Sequence, residues 1–183
     1  GVRAVNFRAP VGEELDRGDL WRVHRQVPGR GEIVIFNRSH YEDVLITRVH
    51  KWIDRAECER RYEQIKDFER MLAETGTSLV KFFLHISKDE QRARLQERID
   101  QPEKRWKFTP NDLEERKFWR DYMRAYSEAI ENTSSARSPW YVVPADSKSA
   151  RNLIISSILV DTLENLKMKF PRPQKDLSGV VVK

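Results

Sequence analysis

Pro28-Gly29-Arg30-Gly31-Glu32-Ile33-Val34-Ile35-Phe36-Asn37-Arg38-Ser39-His40-Tyr41-Glu42-Asp43 is the stretch on which the fold turns. Its Pro-Gly-rich opening ends one element, and four apolar residues, Ile33 to Phe36, follow at once. A short continuous apolar run bounded by turn residues predicts a strand buried on both faces. Upstream, Gly1 to Phe7 reads as another strand, closed by Arg8-Ala9-Pro10. Between the two, the spacing of Leu20, Val23 and Val27 predicts a helix from about Glu13 to Val27. Downstream, Tyr62, Ile65, Phe68 and Leu72 make one stripe of a helix over about Glu57 to Glu74, with Gly76 as its C-terminal cap. Leu79 to Ile86 reads as a strand. Ser87 and Glu90 form a capping box that starts a helix running to about Ile99. Thr109-Pro110 opens another helix. Trp140 to Val143 is a last strand. Asp146 or Ser147 caps a final helix carrying Leu153, Ile154 and Ile158.

Strand and helix alternate, which predicts an α/β fold: a three-layer parallel sheet with helices on both faces. One domain over residues 1–170 is expected, with a flexible tail over 171–183 that follows Pro171-Arg172-Pro173. Ligands of such sheets sit beyond the carboxyl ends of the strands. The loops to inspect are therefore Arg8-Ala9-Pro10 and those after Phe36, Ile86 and Val143.

The loop after Phe36 is the richest. Glu42 and Asp43 are hard oxygen donors that suit Mg²⁺, and Arg38 can clamp a phosphate with its planar fork. The same residues also suit a hydrated turn with a helix-capping Asp. A second constellation holds Arg94, Arg98, Lys104, Arg105 and Lys107, with Trp106 among them. Arg94 and Arg98 share one helix face. The strip can neutralise a phosphate chain, or be a solvated face with charge pairs to Glu90 and Glu97. Trp106 either stacks on a base or packs into the core. Arg8 and Arg22 can reach a phosphate or lie on the surface.

Composition narrows the classes. Lys and Arg outnumber Asp and Glu by 34 to 29, a net charge of +5, which fits a polyanionic partner. The one cysteine, Cys58, excludes a disulfide framework or a cysteine zinc site within one chain, and a reducing, cytoplasmic setting is expected. No apolar run approaches the roughly 20 residues of a membrane span, and no signal peptide opens the chain, so no membrane partner is expected. There is no H-E-x-x-H and no G-x-S-x-G. No aromatic-rich strand offers bases a stacking surface, so no nucleic acid partner is expected either. None of the seven glycines precedes a lysine, so the chain supplies no G-x-x-x-x-G-K-[ST] phosphate loop.

Phe36 to Val44 resembles the Walker B region of the family-2 polyphosphate kinases, especially the branch acting on nucleoside mono- and diphosphates. The likeness continues in Glu14-Leu15 with Leu20 to His24, Tyr62 to Ile65 with Phe68-Glu69-Arg70, Arg98 through Lys107, and Pro139-Trp140. It covers roughly residues 1 to 165. The resemblance implies a thymidylate-kinase-like P-loop fold with a helical lid over about residues 87–121. It implies phosphoryl transfer between inorganic polyphosphate and AMP or ADP, giving ADP or ATP, with Mg²⁺, in a homodimer or homotetramer. By the same resemblance, Glu42 and Asp43 stand near the metal and the acceptor phosphate, and Arg38 contacts the transferring phosphate. Arg8 and Arg22 touch nucleotide phosphates. Arg94, Arg98, Lys104, Trp106 and Lys107 bind polyphosphate or nucleotide. Asn37 stands where other branches carry Asp, which shifts the metal role toward Asp43. The family's first strand, phosphate loop and first helix would precede Gly1, which implies weak or no transfer by this chain alone. Two alternatives stand beside this reading: a non-catalytic polyphosphate or nucleotide binding module, and an ATP-dependent small-molecule kinase of the same fold.

Overall fold

The computed structural model describes residues 1–7, 12–14 and 16–170. Arg8 and the 171–183 tail lie outside the described residues. Among the described residues four strands are seen: β1 (Val2–Asn6), β2 (Ile33–Asn37), β3 (Lys81–His85) and β4 (Trp140–Pro144). They pair as two parallel ribbons. β1 runs beside β2 with Val2 opposite Ile33 and Asn6 opposite Asn37. β3 runs beside β4 with Lys81 opposite Trp140 and His85 opposite Pro144. Parallel neighbours need crossover connections, and helices supply them. A single turn, α1 (Trp21–His24), lies between β1 and β2. The helices α4 (Lys88–Asp100), α5 (Asn111–Lys117) and α6 (Trp119–Thr133) lie between β3 and β4. Two helices, α2 (Glu42–Val49) and α3 (Arg55–Glu74), join the ribbons, and α7 (Lys148–Asn165) follows β4. No described helix is long and apolar enough to cross a membrane.

The α/β class and the parallel strands match the sequence reading, with three differences. Among the described residues the strands form two ribbons, not one continuous hydrogen-bonded sheet. The Ile33–Phe36 run is not buried on both faces: Ile33 is 44% and Ile35 55% exposed, while Val34 and Phe36 are half-buried. Only one face of that ribbon is covered, so the strand alternates like any half-buried one. The expected helix over Glu13–Val27 shrinks to a 3₁₀ turn at Gly12–Glu14 and the four-residue α1. Gly18 and Asp19 fall mid-pattern, and Trp21 N–H turns back to the Gly18 carbonyl at 2.8 Å. Both residues favour turns over helix.

Caps explain where the long helices start and stop. Asp54 accepts from Glu57 N–H at 2.7 Å and starts α3. Gly76, at φ +95°, ends it in the left-handed conformation that glycine adopts without a Cβ penalty. Ser87 accepts from Glu90 N–H at 3.0 Å, as the capping box requires. The reciprocal half differs: Ser87 N–H goes to Asp146 Oδ1 at 2.7 Å, leaving Glu90 to hold Arg94. At α5 the cap also differs, since Thr109 N–H is taken by Asp112 and the Thr109 side chain caps nothing. Ser147, not Asp146, caps α7.

α3 is the spine. Its Cys58, Tyr62 and Ile65 pack with Tyr41, Val44, Leu45 and Val49 of α2 and its approach, and with Ala125 and Ala129 of α6. Two turns on, Phe68 and Leu72 pack with Phe7 and Val23. One amphipathic helix thus fixes α2 relative to the β1–β2 ribbon. That position matters because the first turn of α2 carries Glu42 and Asp43.

Candidate active site

β2 ends at Asn37, whose side-chain amide donates to Asn6 Oδ1 at 2.8 Å and ties the ends of the two strands together. The chain then turns sharply. Arg38 sits at φ +58°, a left-handed conformation that costs a non-glycine residue about 1–2 kcal/mol. This turn aims α2 back over the strand ends, where ligands of α/β folds bind. Two acids in the first helical turn are favoured by the helix dipole.

Asp43 is 2% exposed and Arg22 7%. Both Asp43 oxygens accept from Arg22 Nη2, at 3.1 and 2.9 Å. Arg22 also lies 3.6 Å from Glu14. Arg61 adds a second grip, donating to the Asp43 carbonyl at 2.9 Å. Glu42 faces Arg38 at 3.8 Å, with the Arg38 side chain open to solvent. Burial pushes the Glu42 carboxyl above its ordinary range, against the pull of Arg38. Burial also pushes Asp43 up and outweighs its Arg22 hydrogen bonds. Two carboxylates held in low dielectric, with neighbouring guanidinium groups, form a site where an added cation would be welcome.

The structure therefore brings Arg22, Arg38, Glu42 and Asp43 together at the head of α2. Arg22 differs from its expected place in one respect: its guanidinium is engaged with Asp43. The strip from α4 to Lys107 makes a separate helical layer, α4, a 3₁₀ segment at Pro102–Lys107 and α5. Arg94 is a staple within it. It donates to Glu90, to the Ala145 carbonyl at 2.7 Å and to the Asp146 carbonyl at 3.1 Å. Replacing Arg94 with Ala should lower stability by roughly 1.5–3 kcal/mol, the usual worth of a hydrogen bond to a charged group. A urea melt checks that value. Lys104 pairs with Glu97, and Arg98 lies 4.0 Å from Asp112. Trp106 is 77% exposed, so it does not pack into the core, and Lys107 stands over its ring at 5.0 Å. Among the described residues Lys107 has no acidic partner, which leaves its charge available.

Sequence reasoning missed a buried polar cluster directly beneath this loop. Glu69 is 1% exposed. It takes Lys81 Nζ at 2.5 Å, Tyr41 Oη at 2.9 Å, Ser138 Oγ at 2.8 Å and, more loosely, His40 Nε2 at 3.4 Å. Burial alone would raise the Glu69 carboxyl. The His40 hydrogen bond and the Lys81 charge outweigh it and hold Glu69 below its usual range. The signal was present: Glu69 falls on the stripe of Tyr62, Ile65 and Leu72, and a charge on an apolar face demands a partner.

A family model described as Polyphosphate kinase 2 (PPK2) matches residues 1–171. The chain belongs to the polyphosphate kinase 2 family. Its relatives include an AMP/ADP-polyphosphate phosphotransferase of Meiothermus ruber, 55% identical over 182 residues, covering 100% of this chain and 68% of that protein. An ADP-polyphosphate phosphotransferase of Rhodopseudomonas palustris is 48% identical, covering 93% of this chain and 63% of that protein. Among solved structures, the polyphosphate kinase 2 from Arthrobacter aurescens TC1 superposes with a TM-score of 0.95 at 49% identity. That match covers 97% of this chain and 63% of the other. The chain thus spans about two thirds of the length of these polyphosphate kinase 2 relatives. Its two ribbons and helices have the arrangement of that fold, and the Arg38–Asp43 segment falls within the match.

Proposed function

We propose that this chain carries the acceptor side of a polyphosphate:nucleotide phosphotransferase, which moves a phosphoryl group from inorganic polyphosphate to AMP or ADP. The family match supports this reading. The observation that carries it is the head of α2, where Glu42 and Asp43 stand in one buried turn beside Arg38 and Arg22. Phosphoryl transfer needs positioning and neutralisation of spread negative charge more than covalent help. An oxygen of the acceptor's terminal phosphate attacks the terminal phosphorus of polyphosphate, and the bond to the shortened chain breaks. Arg38, open to solvent and held by its turn, stabilises charge on the equatorial oxygens. Arg22 fixes Asp43, so the carboxylate needs no rearrangement as reaction proceeds. Those cations of residues 88–117 that the fold leaves open, Lys107 among them, hold the polyanion.

The reading includes Mg²⁺. Among the described residues no group of three His, Cys, Asp or Glu is placed to hold a metal ion. Mg²⁺ does not require one: it is commonly held by one or two carboxylates, with water and substrate phosphates completing its shell. Glu42 and Asp43 fit that pattern, and Glu42 is the more accessible. When bound, the ion would neutralise the phosphates and orient them. The proposal extends to a cytoplasmic homodimer or homotetramer, whose size sedimentation analysis checks.

The test is ATP formation by the native-length protein from ADP, polyphosphate and Mg²⁺. ATP is expected, and it should vanish without polyphosphate or with a chelator. A folded protein that binds polyphosphate and makes no ATP would favour the binding module. Transfer from ATP to another acceptor, with polyphosphate inert, would favour the small-molecule kinase. The same assay carries a pH prediction. Because the Glu42 carboxyl is raised, it gains its proton above the ordinary Glu value of about 4.3. Protonated Glu42 is no metal ligand, so turnover falls with pH earlier than a free carboxylate would dictate. Bound Mg²⁺ opposes protonation, so raising Mg²⁺ should move this acid limb to lower pH.

A further inference from the structure

We propose that Glu69 and Lys81 are positioning residues for the Arg38–Asp43 segment, acting through Tyr41 on the head of α2. The inference rests on the phosphotransferase reading for its consequence in catalysis, but not for its geometry.

The cluster joins parts that are far apart in sequence. Lys81 opens β3 and is 9% exposed. Its ammonium has three donors, and three acceptors surround it: Glu69 at 2.5 Å, Tyr41 Oη at 3.0 Å and the Thr133 carbonyl at 3.0 Å. Tyr41 Oη also reaches Thr133 Oγ1 at 2.8 Å. Thr133 is fixed in turn by Trp140 Nε1 at 3.0 Å and by its own bond to the Ala129 carbonyl at 2.6 Å. Around the phenol ring, Trp140 meets Tyr41 edge-on at 4.7 Å and His40 lies 4.7 Å away. Lys81 stands 5.4 Å from the Tyr41 ring centre. Tyr41 is thus held at its hydroxyl and against both neighbouring rings.

Tyr41 precedes Glu42 and is the N-cap residue of α2. Its carbonyl accepts the Val44 N–H at 3.1 Å, as His40's accepts that of Asp43 at 3.1 Å. A displaced Tyr41 therefore drags the first turn of α2, and both carboxylates with it. The Arg22–Asp43 pair holds that turn from the α1 side. Glu69 and Lys81 hold it from α3 and β3. One clamp without the other leaves a pivot, and a misplacement of about 1 Å in such a site can lower the rate about 100-fold.

A pair this buried is not explained by stability alone. Exchanging both buried charges for uncharged groups of similar volume is often neutral or stabilising, whereas removing one is not. That asymmetry separates positioning from folding. In the native-length protein, Glu69→Gln combined with Lys81→Met should melt within a few degrees of wild type. Amide exchange at Asp43 and Val44 should quicken at least tenfold, with exchange in the middle of α3 unchanged. kcat should fall at least tenfold with KM for ADP within threefold. Tyr41→Phe, which keeps the ring and removes only the hydroxyl, should shift the same amides and kcat in the same direction. Wild-type exchange at Asp43 and Val44 in both variants would overturn the proposal. So would recovery of kcat along with melting temperature in the double variant, which would mark a structural pair only. Absence of ATP formation by the wild-type protein would sink the phosphotransferase reading separately, with the exchange result still deciding the geometry.

Discussion

Asp43→Asn is expected to remove phosphoryl transfer and to destabilise the fold at the same time. The substitution keeps the shape and deletes the charge, so the buried Arg22 guanidinium faces a neutral amide in place of a carboxylate at 2.9 Å. Breaking one side of a buried ion pair costs about 3–5 kcal/mol. For a chain of this size that is a fall of roughly 10 °C in melting temperature. Transfer should drop by about 100-fold or more, the usual effect of losing a preorganised charge at a reacting phosphate. Polyphosphate binding should survive, because the cations of residues 88–117 lie on other elements. The two losses can be separated. Arg22→Met with Asp43→Leu removes both charges and should regain most of the melting temperature, yet it should regain no transfer. Calorimetry with the ATP assay reads both numbers on the same samples. If Asp43→Asn melted normally and kept its full rate, neither the clamp nor the catalytic role assigned to Asp43 would stand.

That double effect was only half legible in the sequence. Local signals placed the loop well: a buried-type run ends at Phe36, and two acids follow a turn. The strands, α3, its Gly76 cap and the Ser87 start of α4 were readable from period and capping for the same reason, since each depends on residues within one or two turns. What failed depended on distant residues. Whether Ile33 and Ile35 are covered is decided by what packs on the ribbon, not by the run itself. The Arg22 partner could not be read because Arg22 and Asp43 are brought together only when α1 and α2 pack. Glu69 stood on an apolar stripe and so announced a partner, but Lys81 reads as an ordinary strand residue until β3 is placed against α3. Arg94 shows the converse. Its spacing allowed a phosphate ligand or a charge pair to Glu90, and the resemblance implied the ligand; the fold has it bonded to Glu90 and to the Ala145 and Asp146 carbonyls. Exposure is what separates such cations: those already bonded to the protein hold structure, and those left open can hold substrate.

Arg38 is the residue for which that distinction has the largest consequence. Its side chain is open to solvent, and its acidic neighbour among the described residues, Glu42, is at 3.8 Å, too far for a hydrogen bond. Its backbone sits at φ +58°, where any non-glycine side chain is disfavoured. An exposed arginine in a strained conformation adds little to stability, so any role of its guanidinium lies in what it can bind. Arg38→Ala should leave the melting temperature nearly unchanged, within about 0.5 kcal/mol. Arg38→Gly should raise stability by up to about 1 kcal/mol, because glycine adopts this φ freely. Both should lower kcat by about 100-fold to 1000-fold, since a fixed donor aimed at developing charge is lost. Arg38→Lys should recover only part, because an ammonium cannot make the paired contacts of the planar fork. Steady-state kinetics beside thermal melts test all three variants. A glycine variant that is both more stable and fully active would show that the strained turn serves the backbone alone. A glycine variant that is more stable and inactive would show that the strain is tolerated for the guanidinium.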